Sequence, residues 1–267
     1  MRFAVDGAVV SATTGGRLPD PGRPLILFLH GAALDNTVWQ LQTRYFSHHG
    51  YSVMAVDLPG HGRSEGTPLP SIESYADWVA SLLESAGYAS ANLVGHSMGG
   101  LIALETASRH PGLVSTLTML GPAAAIPVHP ALLTAAEAGD HIAYELMASW
   151  GHGRRSHLGG HQTPGIWMIG STIRLWERAG PGVLAADLHA CNAYGRGPEA
   201  AAAVRCPSLL ISGSLDVMTP RRAAAPLRDN LAEVREAVIE GAGHIMIVEQ
   251  PDPVIDALAA FLADSSS

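Results

Sequence analysis

Six short and almost continuous apolar runs place the strongest constraint on the fold of this chain. Each run ends in turn-forming residues, and the runs occupy 25–31, 52–60, 91–100, 114–122, 208–216 and 236–244. Strands that are buried on both faces have this pattern, whereas half-exposed strands alternate apolar and polar residues. The runs therefore predict the strands of a mostly parallel sheet.

The segments between these runs have the periodicity of helices. In residues 71–87, apolar side chains recur every three or four positions, as they do on the buried face of a helix. Ser71 is a suitable N-cap for this helix and Gly87 a suitable stop. Residues 100–112 and 254–264 predict two further helices. Strands that alternate with helices are typical of a parallel sheet with helices on both faces.

The N-terminal residues predict a β-hairpin, because weakly alternating segments flank an Asp6-Gly7 pair. Asp-Gly is a favoured two-residue hairpin turn. Together, the hairpin and the six runs predict an α/β protein with a mostly parallel, doubly wound sheet of about eight strands.

The strand pattern disappears between residues 122 and 205, where helix-like pieces occupy 130–150 and 166–179. We interpret 122–205 as an inserted helical cap, or lid. The core would then consist of 1–121 and 206–267. The alternative is that 122–205 continues the α/β core with weak strands.

The composition argues against several classes of function. The chain has 267 residues, 47% of them hydrophobic, a net charge of -8 and a pI near 5.9. Such an acidic chain is a poor candidate for binding nucleic acid or an anionic membrane surface. No apolar run approaches the roughly 20 residues that span a bilayer, and the N-terminal segment lacks the apolar core of a signal peptide. We expect a cytoplasmic monomer or homodimer in which Cys191 and Cys206 are free thiols.

The pattern G-x-S-x-G occurs twice, around Ser64 and around Ser97. A nucleophilic serine with this pattern stands on a sharp turn between a strand and a helix. The strand-like ANLV precedes Ser97 and the helix-like GLIALETASRH follows it. Ser64 instead lies in the Gly- and Pro-rich stretch DLPGHGRSEGTPLP, where no helix begins. The context therefore predicts Ser97 as the nucleophile.

A serine nucleophile needs a base, and the base needs an orienting carboxylate. In this architecture they follow the serine in the order acid, then histidine. Asp216 and His244 each come directly after a predicted strand in that order, and ligands bind beyond the carboxyl ends of parallel strands. We predict a triad of Ser97, Asp216 and His244. The alternative for Asp216 is a role in a turn, and the alternative for His244 is a solvated position in a loop. Asp57 is a rival for the acid, but it precedes the serine in the chain and so does not fit the expected order.

The stretch LFLHGAALDN has the right position for the second half of an oxyanion hole, after an early strand. We predict the backbone N–H groups of Ala32 and Met98 as the two donors, with Ala33 as a possible substitute or substrate contact. We expect His30 to hold this loop by hydrogen bonds. His96 would brace the turn at the nucleophile or line the pocket.

The predicted cap contains candidate substrate contacts, Trp150, Trp167 and Met168, which with Trp176 could form an apolar lid. The alternative is that these residues are the cap's own core.

The predicted cap also contains histidine and arginine side chains that could bind a metal or an acidic substrate group. His152, His157 and His161 do not match a firm metal-ligand spacing, so we predict no metal. Arg154 and Arg155 could pair with an acidic substrate group, although solvated loop charges are the simpler interpretation.

These motifs together resemble the α/β-hydrolase superfamily, in particular its small cap-bearing esterase, haloperoxidase and C–C hydrolase branches. The matching pieces are FLHGAALDNTVW, AVDLPGHGRS, LVGHSMGG, LLISGSLDVMTP and GAGHIMIVEQP. The resemblance implies that DLPGHGRS is a common loop of the superfamily and not a catalytic one. It also implies acyl-type chemistry, since haloalkane dehalogenases and epoxide hydrolases of this fold have an aspartate at the position of Ser97.

The sequence thus predicts a serine hydrolase that cleaves a small-molecule carboxylic ester or related acyl compound, with no cofactor. An alternative keeps the triad but hydrolyses a C–C bond of a diketone-type compound, or uses peroxide to make a peracid. A third possibility is a ligand-binding relative with little turnover.

Overall fold

The structure, a computed structural model, describes residues 1–160 and 165–265. Its strands are β1 (Arg2–Val5), β2 (Ala8–Thr13), β3 (Leu25–Leu29), β4 (Ser52–Val56), β5 (Ala91–His96), β6 (Val114–Leu120), β7 (Ser208–Gly213) and β8 (Val234–Ile239). They form one eight-stranded sheet in the order β1-β2-β4-β3-β5-β6-β7-β8. Strands β3 to β8 pair in parallel, and the first two strands are antiparallel to their neighbours. The predicted fold class is confirmed.

Helices flank this sheet and fill the long segment between β6 and β7. They are α1 (Gln40–Ser47), α2 (Ile72–Ser85), α3 (Met98–Arg109), α4 (Pro130–Glu137), α5 (Ile142–Gly151), α6 (Arg154–His157), α7 (Met168–Trp176), α8 (Val183–Ala193), α9 (Gly197–Ala203), α10 (Ala225–Arg228), α11 (Met246–Glu249) and α12 (Pro251–Ser265). Short 3₁₀ turns occur at Asn36–Trp39, Pro111–Leu113 and Arg221–Ala224. No described helix has both the length and the apolar character needed to cross a membrane.

The apolar runs form strands because the sheet is covered on both faces. Every residue of β3 and of β4 is buried, as expected for central parallel strands. The hairpin is also as predicted, since Asp6 and Gly7 both have positive φ, at 50° and 84°, the geometry of a type I′ turn.

Helix α2 begins and ends where its capping residues predict. The Ser71 side chain accepts a hydrogen bond from the N–H of Ser74, which satisfies one of the free donors of the first turn. Its apolar face, which includes Tyr75 and Leu82, is fully buried. The chain leaves the helix through Gly87, at φ 76°.

Between residues 122 and 205 the described part of the chain is helical and contains no strand. The predicted helix at 130–150 is two helices, α4 and α5, because Gly139 turns the chain between them at φ 66°. Helices α8 and α9 were not predicted from sequence, since their short alanine-rich stretches have little apolar periodicity. Helix α9 packs against α3 of the core. That 122–205 acts as a cap stays a prediction.

Candidate active site

Ser97 stands on a strained turn between β5 and α3. Its backbone has φ 55° and ψ -117°, a conformation that non-glycine residues adopt only when the surroundings enforce it. Its own N–H donates to the carbonyl of Leu120 on the neighbouring strand, at 2.9 Å. The turn lies at the carboxyl end of the parallel sheet, where β7 and β8 also end.

Two glycines make room for this turn. A Cβ atom on Gly95 would lie 2.0 Å from the carbonyl oxygen of Gly99, and one on Gly99 would lie 2.2 Å from the carbonyl oxygen of Leu29. Gly100 is different, because a Cβ atom there would make only ordinary contacts, the nearest at 3.4 Å. The first two glycines are therefore sterically required, and the third is not.

Asp216 and His244 lie together at the ends of β7 and β8. The Nδ1–H of His244 donates to Asp216 Oδ2 at 2.8 Å, and both residues are buried. Burial alone would raise the pKa of Asp216, but His244 and the hydrogen bonds from Thr219 lower it to about 2. Asp216 is thus an anion at neutral pH, suited to orient the imidazole and to stabilise its protonated form.

Thr219 is a residue of this site that sequence reasoning missed. Its N–H donates to Asp216 Oδ1 and its hydroxyl to Oδ2, both at 2.8 Å, while the N–H of Met218 donates to Oδ1 at 2.9 Å. With His244, the carboxylate accepts four hydrogen bonds. An Asp followed three residues later by Thr is a local turn pattern that could have indicated this contact.

His96 both braces the site and lines it. Its Nε2–H donates to the carbonyl of His244 at 2.9 Å, and the rings lie 4.8 Å apart between centroids. Burial, followed by the proximity of His244, lowers the pKa of His96 to about 3. A neutral ring at position 96 therefore holds the histidine loop close to the turn at Ser97.

The loop after β3 contains Ala32, one of the two residues predicted to be oxyanion donors. Ala32 lines the same cavity as Ser97, and within the described chain its N–H has no hydrogen-bond acceptor. Met98 is the first residue of α3, so its N–H has no acceptor within the helix. Ala33 requires a correction, because its N–H donates to Asp187 Oδ2 at 2.8 Å and is not available to a substrate.

Ser97, His96 and His244 line one cavity at the end of the sheet. Its volume is about 40 Å³, enough for only a few water molecules. The remaining lining is almost wholly apolar and comes from core loops and from the 122–205 segment: Gly31, Ala32, Leu34, Ile126, Met147, Trp176, Leu188, Cys191, Met218 and Ile245. No cationic lysine or arginine side chain belongs to this set of described residues.

A larger apolar cavity of about 310 Å³ adjoins the first. The side chains of Ile126, Leu188 and Met218 line both cavities and so form their common wall. Trp150, one of the predicted substrate contacts, lines this second cavity and not the first. The two cavities together offer an apolar volume next to Ser97.

The other two predicted cap contacts lie elsewhere. Trp167 is 69% exposed, and Met168 is buried, but neither lines the cavity at Ser97. Trp167 is the N-cap of α7 and Met168 its first residue, whereas its last residue, Trp176, lines the cavity. Sequence spacing alone could not show which end of this helix faces the core.

The described histidine and arginine residues at positions 152–157 line neither cavity. His152 is buried, with Nδ1 at 3.0 Å from the carbonyl of Ala148 and Nε2 at 3.2 Å from Thr172 Oγ1. His157 reaches the carbonyl of His152 at 3.3 Å. Arg154 and Arg155 are exposed on α6 and line neither cavity. His161 lies outside the described residues.

The second G-x-S-x-G serine is part of a loop anchor. Ser64 Oγ accepts from the N–H of Ser11 at 2.9 Å and donates to the carbonyl of Asp57 at 2.7 Å. The Asp57 carboxylate accepts from the N–H groups of Asn36 and Arg63 at 2.8 and 2.9 Å. Both side chains are thus committed to holding the loop after β4, away from the cavity.

Sequence reasoning also missed a buried ion pair between α8 and that loop. His61 Nε2 lies 2.8 Å from Asp187 Oδ2, and both side chains are 0% exposed. The other ring nitrogen lies 3.0 Å from the carbonyl of Pro59. Because both nitrogens face acceptors, this geometry favours a ring with two protons and a positive charge. The sequence did contain one indication of this pair, because Asp187 is the one acidic residue in the apolar stretch VLAADLHAC.

We expect this pair to make the stability of the protein depend on pH. Burial lowers the pKa of His61, but Asp187 outweighs it, with help from the Pro59 carbonyl and then Asp57, and the net pKa is raised. A raised pKa contributes stability that is complete below about pH 6.5 and is lost as the pH rises through the raised value. Asp187→Asn should therefore lower the free energy of unfolding by about 1–3 kcal/mol near pH 6 and by less near about pH 9.5.

Urea unfolding at the two pH values measures this difference. Other polar groups face the pair, namely His30, whose ring is 5.0 Å from that of His61, and Tyr75, whose hydroxyl is 3.4 Å from Asp187 Oδ1. Asp264→Asn is the matched control, because its partner Arg235 is exposed and does not titrate in this range. A loss in Asp187→Asn that is equal at both pH values would contradict the assignment of charge to His61.

Comparison with known proteins identifies the family of this fold. Residues 26–257 match the model of the Alpha/beta hydrolase family. A pimeloyl-[acyl-carrier protein] methyl ester esterase of Aromatoleum aromaticum is 30% identical over 86% of this chain and 94% of its own. An (E)-2-((N-methylformamido)methylene)succinate hydrolase of Acinetobacter baylyi is 25% identical, with 90% of each chain covered.

Solved structures share the same fold. A thermophilic esterase superposes with a TM-score of 0.82 at 26% identity, over 99% of this chain and 97% of its own. An enol-lactonase from Burkholderia xenovorans superposes with a TM-score of 0.84 at 22% identity, over 98% and 100% of the two chains. The second likeness is one of fold alone.

Proposed function

Because the chain belongs to the alpha/beta hydrolase family, we propose that it is a serine hydrolase that cleaves a small carboxylic ester or a related acyl compound. The observation that carries this proposal is the arrangement at the cavity. A strained serine and a histidine line it together, and the histidine is held by a buried carboxylate. The relatives with this fold include an esterase and other hydrolases.

The chemistry follows from the atoms in the site. The Nε2 of His244 is buried without a hydrogen-bond partner among the described residues, so it is free to accept the proton of Ser97. The serine oxygen then bonds to the substrate carbonyl carbon, and the N–H groups of Ala32 and Met98 stabilise the resulting oxyanion. The imidazolium, stabilised by Asp216, returns its proton to the leaving alcohol. Water attacks the acyl-enzyme by the same steps and releases the acid.

Labelling with a fluorophosphonate tests the nucleophile directly. The reagent phosphonylates an activated serine, and peptide mass spectrometry locates the adduct. We expect the adduct on Ser97 and expect Ser64→Ala, a change in the same sequence pattern, to leave labelling intact. An unlabelled protein, or an adduct retained in Ser97→Ala, would contradict the proposal.

The cavities also support a preference for uncharged acyl groups. A carboxylate in either cavity would lie among mostly apolar side chains, with no lysine or arginine in the described lining to pair with, which is costly. A cost of about 2.8 kcal/mol for placing the carboxylate there lowers kcat/KM about 100-fold, since each 1.4 kcal/mol is about tenfold. We therefore expect 4-nitrophenyl pentanoate to be hydrolysed with a kcat/KM at least about 100-fold above that of the corresponding 4-nitrophenyl monoester of glutaric acid. The two acyl chains have equal length and differ only in the terminal group.

Spectrophotometric rates of nitrophenol release measure this ratio. Replacing Arg154 and Arg155 by alanine serves as the control, because both side chains are exposed and line neither cavity. The ratio should not change in that variant. Equal rates for the two esters would disprove the preference, and a ring-fission diketone assayed in parallel tests C–C bond hydrolysis with the same triad.

A further inference from the structure

The loop that carries the proposed oxyanion donor consists of two successive peptide groups with different anchors. In the first, between Gly31 and Ala32, the carbonyl of Gly31 accepts from the N–H of Leu34 at 3.2 Å and from His30 Nδ1 at 2.9 Å. His30 must donate from Nδ1, because its Nε2 accepts the N–H of Leu58 at 3.1 Å. The carbonyl end of this peptide is thus held from the core side.

The second peptide group, between Ala32 and Ala33, is held at both ends by side chains of the 122–205 segment. Trp176 Nε1–H on α7 donates to the carbonyl of Ala32 at 3.3 Å. Asp187 on α8 accepts the N–H of Ala33 at 2.8 Å. We call Asp187 and Trp176 the clamp. Ala33 has φ 52°, a left-handed conformation that costs a non-glycine residue about 1–2 kcal/mol, so the peptide needs such external support.

Asp187 is itself fixed in place. Its carboxylate is fully buried and is also contacted by His61 at 2.8 Å and by the hydroxyl of Tyr75 at 3.4 Å. A buried carboxylate is costly unless donors surround it. Here the donors come from the loop after β3, the loop after β4 and helix α2, so the acid on α8 ties three segments of the core to one point.

The clamp determines the direction of the donor. A peptide group is planar, so only φ and ψ of Ala32 separate its own N–H from the clamped plane that follows. Since both flanking planes are anchored, neither torsion is free to rotate. We propose that Asp187 and Trp176 are positioning residues of the oxyanion hole, which hold the N–H of Ala32 towards the substrate carbonyl only while helices α7 and α8 are docked. This inference rests on the function proposed above.

Three variants test the clamp, assayed on the full chain with 4-nitrophenyl pentanoate. Asp187→Leu removes the acceptor, Asp187→Asn keeps an oxygen for the N–H of Ala33, and Trp176→Phe removes the donor at the other end. We expect Asp187→Leu to lower kcat about 10- to 100-fold. This decrease does not exceed the decrease in kcat that follows removal of a whole oxyanion donor. KM should change less than about threefold, and Asp187→Asn should restore most of kcat.

A boronic acid adds a readout that a purely structural role would not change. Its tetrahedral serine adduct places an oxygen where the oxyanion forms. Its affinity for Asp187→Leu should fall by the same factor as kcat. Tyr194→Phe is the matched control at the end of α8, because it breaks a buried hydrogen bond to Glu105 at 2.8 Å without touching the loop. That variant should lose stability and keep its kcat.

The outcomes separate the clamp from the proposed function. If wild type hydrolyses the ester and is labelled on Ser97 while folded Asp187→Leu keeps its kcat, the clamp is disproved and the function stands. If wild type is neither active nor labelled, the proposed serine hydrolase function is itself disproved, and the clamp proposal that rests on it is disproved with it. Should Asp187→Leu not fold, Trp176→Phe decides, because an unchanged kcat and boronic acid affinity in that variant overturn the clamp.

Discussion

Replacing Ser97 by alanine is expected to lower kcat/KM for ester hydrolysis by about 10⁴- to 10⁶-fold. The change removes the oxygen that forms the acyl-enzyme, and the described cavity contains no other hydroxyl to replace it. The remaining oxyanion donors and His244 can assist only a direct attack by water, which is far slower. Initial rates with 4-nitrophenyl pentanoate at high enzyme concentration measure the residual activity.

Ser64→Ala is the control for this experiment, since Ser64 shares the G-x-S-x-G pattern but holds the loop after β4. We expect it to lose some stability, because two partly buried hydrogen bonds of this loop disappear, and to retain kcat. Loss of activity in folded Ser64→Ala together with activity in Ser97→Ala would reverse the assignment of the nucleophile.

Asp216→Asn is expected to lower kcat by about 10³- to 10⁴-fold. An amide has only one acceptor oxygen, and both carboxylate oxygens of Asp216 accept hydrogen bonds. The donors at Oδ1 are the backbone N–H groups of Met218 and Thr219, which cannot act as acceptors, so the amide oxygen must take this position. The amide NH₂ must therefore face Nδ1 of His244. The imidazole then carries its proton on Nε2 and cannot accept one from the serine.

Rates between about pH 6 and about pH 9 measure this loss. Wild type should show no decline from protonation of Asp216 in this range, since its pKa is lowered to about 2. KM should change little, because the amide is isosteric and does not line the cavity. The exposed Asp229 gives a matched Asp→Asn control. A kcat within about tenfold of wild type would remove Asp216 from the triad.

The parts of the fold that depend on local pattern were predictable from the sequence. Continuous apolar runs indicated the central strands, because burial on both faces leaves no polar alternation. Ser97 could be separated from Ser64 because strand, turn and helix are all local. The positions of Asp216 and His244 followed from one topological fact, that the ends of parallel strands meet at one edge.

The parts that depend on contacts between distant segments were not predictable. Asp187 meets Ala33 across 154 positions of sequence, and its apolar neighbours indicate only that it lies on a buried helix. The same limit explains why Trp167 and Met168, predicted as substrate contacts, do not line the cavity at Ser97. Helix α7 presents its last turn, and not its first, to the cavity, and that orientation is set by packing against the loop after β3.

The two hydrogen bonds from α7 and α8 to one peptide group also limit how the protein can be re-engineered. Exchanging the 122–205 segment for that of a relative is an obvious way to alter substrate preference. A grafted segment that lacks an acceptor at position 187 or a donor at position 176 would leave Ala33 in its left-handed conformation without support. Chimeras should therefore carry both side chains across, or receive glycine at position 33, where a positive φ has little cost.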